Sequence, residues 1–284
     1  MKFLVTSDTH FRDDKPRCRV DNFFETQQRK LRWLIEQVNE HECPLFIAGD
    51  IMDSGSATQR LENMLIREFK KAKYPVYSIA GNHDVHYHSI KHLHNSTYWV
   101  LHQAGAIQHI SDTDIITAFN YGEEIQNGTG ILMMHALVFE NNPPPYLANA
   151  YKASDLLDKF NYSIILSGDN HQSFYVEHNN KVLINGGGLF RTEYTQKYNC
   201  PTIYLYDGKV HAIQVPVHVQ DVVQEYAINE KERDDRVLAF INRVQVSKEI
   251  GLSFIDNIDR SIKETNMRQP VVEIVHKAIK GELA

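Results

Sequence analysis

Cysteine is scarce in this chain. Cys18, Cys43 and Cys200 are odd in number and widely spaced, which excludes a disulfide framework and a zinc knuckle and points to a reducing, cytosolic setting. No apolar run approaches the roughly 20 residues that a membrane-crossing helix needs. The opening strand-like run, Phe3-Leu4-Val5, has no signal-peptide h-region, so a cytoplasmic location with no membrane partner is expected. Positive charge is also short: 30 Lys and Arg against 36 Asp and Glu leave a net charge of -6. That balance argues against a broad basic surface for nucleic acid. It does not exclude a polyanionic substrate, because bound divalent cations reverse the local sign. Repeats and low-complexity tracts are absent too.

What remains is ordinary globular text, 42% hydrophobic and 23% charged over 284 residues, long enough to bury a large core with room for an appendage. Histidine stands out, with fifteen copies; His86, His88, His92 and His94 crowd together without clear ligand spacing.

The chain opens with a strand over 3–7, an irregular charged loop over 11–21 and an amphipathic helix over 22–40, on which Phe24, Leu31, Leu34, Ile35 and Val38 recur at helical spacing. A buried strand over 45–48, a helix over 57–73 and a strand over 76–79 follow. This β-α-β-α-β order predicts an α/β fold with parallel strands and helices packed on the sheet. A helix is expected over 90–104, then short strands over 107–110, 115–119 and 131–134. Pro143, Pro144 and Pro145 make a loop. A short helix over 156–160, a strand over 162–166, a hairpin over 174–184 around Asn179-Asn180 and another over 202–215 around Asp207-Gly208 complete the sheet text. From Val217 onward the composition turns helical, with amphipathic stretches over 234–246, 252–262 and 271–279. Two regions are therefore expected, 1–216 and 217–284.

Polar clusters sit where apolar strands stop: Asp8 and His10, Asp50, Asn82-His83-Asp84, His135, and Asp169 with His171. Open α/β sheets place their sites at the carboxyl ends of strands. Each cluster alone has an ordinary explanation in a turn or a hydrogen-bonded histidine; five in succession point to a metal centre. The donors are oxygen and imidazole with no thiolate, which disfavours structural zinc and favours a catalytic cation. Residues two apart project to one side, so Asp8 with His10, and Asp169 with His171, are each expected to grip one centre.

These clusters resemble the pattern of the calcineurin-like metallophosphoesterases: Asp-x-His, Gly-Asp, Gly-Asn-His-Asp, His, and Gly-His-x-His. Pro16 with Asn22-Phe23-Phe24, Tyr87-His88 after the Asn82 cluster, and Asn185-Gly186-Gly187-Gly188-Leu189-Phe190-Arg191 add a similarity to SbcD-type DNA-repair nuclease subunits and their phage-encoded relatives. The resemblance covers roughly 1–215. It implies a four-layer sandwich of two packed mixed sheets flanked by helices, with a helical C-terminal appendage. It also implies two divalent cations, Mn²⁺ first, with Fe, Zn, Ni or Mg as alternatives. Asp8, His10, Asp50 and His171 would hold one cation; Asp50, Asn82, His135 and Asp169 would hold the other. Cations roughly 3.5–4 Å apart bind both oxygens of an in-line phosphoryl displacement and activate water. His83 would protonate the leaving alkoxide, with Asp84 orienting its ring. Arg191 would meet a substrate phosphate. Asp169 departs from the pattern, standing where the family has a histidine; an extra carboxylate makes the site harder and favours Mn²⁺.

The implied substrate is DNA, with Arg12, Lys15, Arg17 and Arg19 as a basic loop for backbone phosphates. Small nucleotides or other phosphoesters are the alternative, since one fold hosts many substrates, and a non-catalytic scaffold is a third. A homodimer, an SbcC-like ATPase subunit or a substrate cap are the roles the resemblance suggests for the helical tail. If the chain is phage-encoded, its compartment is the host cytoplasm.

Overall fold

The computed structural model describes residues 1–110, 116–145, 147, 150–222, 262 and 272. Met1–Val223 forms one compact unit and Gln224–Ala284 another. The helices expected over 234–279 lie outside the described residues.

The first unit is organised by strands buried on both faces. β1 (Phe3–Thr6), β2 (Leu45–Ile47), β3 (Val76–Ser78) and β4 (Gln108–His109) run parallel, and β12 (Thr202–Tyr206) and β13 (Val210–Gln214) extend the sheet antiparallel in the order β13-β12-β1-β2-β3-β4. A second sheet contains β5 (Ile116–Phe119), β6 (Ile131–His135), β9 (Ile164–Gly168), β10 (Phe174–His178) and β11 (Lys181–Asn185), in the order β10-β11-β9-β6-β5. A two-stranded ribbon joins β7 (Val138–Phe139) to β8 (Tyr151–Lys152); nothing in the sequence reading anticipated it, because each strand is two residues long.

The two-residue side-chain period sorts these strands into layers. Phe3 and Val5 of β1 and Phe46 of β2 meet Ile131 and Met133 of β6 and Ile164 and Leu166 of β9 between the sheets. Leu4, Leu45 and Ile47 point the other way, onto α1 (Phe23–Glu40), α2 (Gln59–Phe69) and α3 (Thr97–Gln103). Leu132, Met134 and Ile165 face outward from the second sheet onto α4 (Ala153–Lys159). With both faces covered, the central strands β1, β2, β6 and β9 are buried along their whole length and read as apolar runs rather than alternating ones. The result is the helix, sheet, sheet, helix stack that the resemblance implied.

Several boundaries move for local reasons. Asn22 caps α1 through the Glu25 N–H, and Thr58 caps α2 through Leu61. The single helix expected over 90–104 is two pieces, a 3₁₀ turn over Ile90–Asn95 and α3, because the Ser96 side chain accepts from the Trp99 N–H and starts a new helix. α4 begins earlier than expected and β4 is shorter. The expected 216/217 boundary lies at 223/224 instead. Arg19 bridges to Val222, the Val20 N–H donates to Asp221, and the Arg191 guanidinium donates to the His218 carbonyl, tying 218–222 to the sheet unit.

Candidate metal centre

All five clusters lie at the carboxyl ends of strands, three on one sheet and two on the other, and the stacking of the sheets brings them together. The turns that carry them are unusual. Asp8, His10, Asp50 and Asp169 have φ of 47°, 41°, 53° and 80°, a left-handed region that non-glycine residues seldom enter. Such strain gathers at functional sites, where the surrounding structure holds it in place. Gly49, at φ 89°, precedes Asp50, and a Cβ there would meet the His135 ring at 2.3 Å. At Gly81 a Cβ would lie 2.1 Å from Asp50 Oδ1. Both positions need glycine so that the backbone can close on the ligand side chains.

Donor atoms converge in three overlapping groups: Asp8, His10 and His171; His10, Asp50 and His83; Asp8, Asp50 and His135. Within each group the atoms lie within 4.8 Å of one another. His10 Nε2 is 3.0 Å from His171 Nε2 and 3.6 Å from Asp50 Oδ2. His135 Nε2 is 3.0 Å from Asn82 Oδ1, 3.4 Å from Asp50 Oδ2 and 4.0 Å from Asp169 Oδ1. Asp50 therefore lies between two sets of donors, as a bridging carboxylate must. Adjacent ligands on a cation with bonds of about 2.1 Å are separated by about 3 Å, which these spacings match.

The electrostatics call for cations. Asp8 and Asp50 are buried, and among the described residues neither they nor Asp169 pair with a lysine or arginine. Burial of unpaired charge is costly. Burial accordingly pushes Asp8 and Asp169 above the usual carboxylate range. Burial also acts on Asp50, but the His135 charge and hydrogen bond outweigh it and draw the carboxyl down to about 2. Burial disfavours charge on His135, yet Asp50, aided by Asp8, pushes that imidazole up to about 10. Burial lowers His10 to about 3, leaving a neutral ring suited to ligation. His135 Nδ1 faces the Ala48 carbonyl at 2.8 Å. With that N–H committed, its Nε2 lone pair meets the oxygens of Asn82 and Asp50. A proton or a metal cation satisfies this arrangement of acceptors, and the backbone contact to Nδ1 is the orienting kind that metal-bound histidines make.

The supporting contacts revise several expectations. Asp169 and His171 do not grip one centre: His171 Nε2 faces His10 and Asp169 Oδ1 faces His135. The main-chain N–H of Asp169 donates to Asp8 Oδ1 at 2.9 Å. Asp84 does not orient the His83 ring. Its carboxylate accepts from the N–H groups of Met52 at 2.8 Å and Gly81 at 2.9 Å, while His83 Nδ1 faces the Asp53 carbonyl at 3.0 Å. Burial, with the nearby charge of Asp50, pushes Asp84 up to about 7.

Arg191 is buried rather than presented to substrate, and its guanidinium donates to the carbonyls of Lys197 and His218. The glycine-rich run before it supports a ligand loop. Asn185 Nδ2 donates to the carbonyls of Asn170 and Gln172, and the Gly188 N–H donates to His171. Two of the four basic residues of the loop are neutralised, Arg12 by Asp14 and Asp53 and the buried Arg19 by Asp21 and Asp221.

Asp53 was missed. Besides holding His83 by its carbonyl, it places a carboxylate oxygen 3.7 Å from His10 Nδ1. The signal was present as a second aspartate three residues after Asp50, but a backbone carbonyl contact leaves no mark in side-chain identity. Ser7, whose hydroxyl donates to Asp8, is a further support that apolar patterning passes over.

Residues 1–173 match the family described as calcineurin-like phosphoesterase. No curated protein matches the chain. Among solved structures, an archaeal phosphodiesterase is 17% identical over 75% of this chain and 99% of its own, with a TM-score of 0.42. A 5'-nucleotidase-type protein from Staphylococcus aureus is 12% identical over 82% of this chain and 57% of its own, at 0.49. The Pseudomonas putida nuclease MPE is 17% identical over 74% and 87%, at 0.36. Among the described residues no helix is long and apolar enough to cross a membrane. From the family match over most of the sheet unit, and from the ligands gathered at its strand ends, the chain belongs to the calcineurin-like phosphoesterases, metal-dependent hydrolases of phosphoester bonds.

Proposed function

We propose that this phosphoesterase is a manganese-dependent nuclease that hydrolyses the phosphodiester bonds of DNA. The observation that carries the reading is the set around Asp50: two further carboxylates, an amide oxygen and three imidazoles gather about this one bridging group, with no thiolate. Asp8, His10, Asp50 and His171 would hold one cation, and Asp50, Asn82, His135 and Asp169 the other. When bound, such a pair supplies Lewis acidity toward phosphoryl oxygens and lowers the pKa of water. The hard donor set favours Mn²⁺.

The chain's own contribution centres on His83. Its Nδ1 is fixed by the Asp53 carbonyl, which selects the tautomer and leaves Nε2 to carry a proton to a leaving alkoxide. The Asp50 Oδ1 hydrogen bond to the His83 N–H, at 2.8 Å, sets the distance between the acid and the bridging carboxylate. Asn82 and His83 are half-buried and His171 is exposed, so an ester can approach from that side.

The likeness to SbcD-type nuclease subunits supports DNA as the substrate. Hydrolysis of small nucleotide esters is the second reading, favoured by the neutralisation of Arg12 and Arg19 and by the net negative charge. The test compares linear DNA with nitrophenyl mono- and diesters in Mn²⁺. Release of nucleotides or nicks from DNA supports the nuclease, and ester hydrolysis without DNA cleavage removes it. A homodimer or an ATPase subunit docked through the region after Val223 is part of the same proposal, tested by the mass of the full chain in solution alone and with an SbcC-like ATPase.

A further inference from the structure

Beside the metal cluster, the second sheet opens a cleft of about 700 Å³, within the size range of small-ligand sites. His135 and Asp169 form part of its wall, so anything in it lies next to the candidate metal centre. The rest of the lining is mixed, and its apolar part is supplied by the half-buried or buried side chains of Phe119, Tyr121, Ile125, Tyr151 and Phe160. The wall is built rather than incidental. The Tyr121 N–H donates to the Ala80 carbonyl at 3.0 Å, and Asn120 Oδ1 accepts from the Ala80 N–H at 2.9 Å. These bonds tie the tyrosine to the strand that delivers Asn82 and His83. Its ring stands edge-on to His135, with centroids 6.2 Å apart.

The rim carries Glu123 and Glu124, with Lys159 lying over Phe160 at 5.0 Å. This balance repels a second phosphate and suits an uncharged, flat group. We infer that the cleft binds the nucleobase of the nucleotide whose phosphate is cut, making the enzyme selective for nucleoside phosphoesters over simple alkyl ones. Stacking on an aromatic face tolerates any base, so the cleft confers nucleotide selectivity without sequence selectivity. The inference rests on phosphoester hydrolysis at the proposed metal centre and narrows its substrate class.

The test measures inhibition of nitrophenyl ester hydrolysis, in Mn²⁺, by nucleoside monophosphates phosphorylated at either end of the ribose, against methyl phosphate, which lacks a base. At least one nucleotide is expected to inhibit about 5- to 100-fold more tightly than methyl phosphate. Tyr121→Ala and Tyr151→Ala are expected to erase that advantage while leaving inhibition by methyl phosphate unchanged. Nucleotides that inhibit no better than methyl phosphate, or an advantage that survives both substitutions, overturn the inference. A thermal melt matching that of the wild type shows that each variant is folded. A nucleotide advantage in an enzyme inactive on DNA would remove the DNA reading and keep the cleft.

Discussion

Asp84→Asn separates two accounts of the Asn82-His83-Asp84 loop. In the structure the Asp84 carboxylate caps two buried main-chain N–H groups, of Met52 and Gly81, and does not touch the His83 ring. Asparagine keeps one acceptor and turns an NH₂ group toward the second N–H. The change thus removes one bond and leaves buried donors facing each other. With its pKa pushed up to about 7, Asp84 is only partly ionised near neutral pH and its buried charge opposes folding, so the lost bond counts as an ordinary one, about 0.5–1.5 kcal/mol, beside an unsatisfied buried donor at about 1–3 kcal/mol. Allowing for overlap between these penalties and for the relief of buried charge, the expected loss is about 1–3 kcal/mol. In a unit of this size 1 kcal/mol moves the melting temperature by about 2–4 °C, so a drop of about 2–12 °C is expected in thermal melts. The pH–rate profile on a nitrophenyl diester should keep its alkaline limb in place, because the partner of His83 is a backbone carbonyl. A variant that melts with the wild type but shifts that limb would refute the reasoning and restore Asp84 as the orienting group.

Mn²⁺ at about 100 times its dissociation constant should stabilise the protein by about 2.7 kcal/mol, seen as a higher melting temperature that Asp50→Asn abolishes. Elemental assay of Asp169→Asn checks the altered ligand position, with one cation retained and the other lost as the expected result. Arg191→Ala, which strands the carbonyls of Lys197 and His218, should lower the melting temperature while leaving KM for phosphodiesters unchanged in steady-state assays. Glu68 is buried, which disfavours its charge, but hydrogen bonds from Arg32, Lys71 and Gln28 outweigh burial and hold its carboxyl down to about 2. Its folded-state pKa lies below the unfolded value, so its contribution is complete above about pH 4.5 and disappears as pH falls toward 2. Arg32 and Lys71 are about half exposed, which discounts the contribution to about 0.5–1 kcal/mol; Glu68→Gln should lose that amount in denaturant titrations at pH 7 but not at pH 2.

The fold was legible because its strands are unusually plain. Leu45-Phe46-Ile47-Ala48 and Ile131-Leu132-Met133-Met134 are apolar on both faces, and each stops at a polar cluster. The clustering of the candidate ligands was legible for the same reason, since a strand end fixes where the next side chain goes. What failed was everything that depends on main-chain partners. The identity of Asp84 indicates a carboxylate but not whether it faces an imidazole or two N–H groups. Arg191 after a glycine run looks like a phosphate clamp, and only packing reveals that carbonyls enclose it. Asp169 and His171 were paired by a two-residue rule that assumes extended backbone, and the turn after β9 instead aims them at different donors, His135 and His10.

The donor set is drawn from both halves of the sandwich: Asp8, His10 and Asp50 follow strands of one sheet, and His135, Asp169 and His171 follow strands of the other. A cation seated among them would act as a rivet through two plates that otherwise adhere by their oily faces and a few hydrogen bonds at their strand ends. Chelation would then do more than silence chemistry, because it would unfasten the seam at its active end and let the layers part there first. Loaded protein should accordingly protect the amides of β1 and β6 from hydrogen exchange as a single cooperative block.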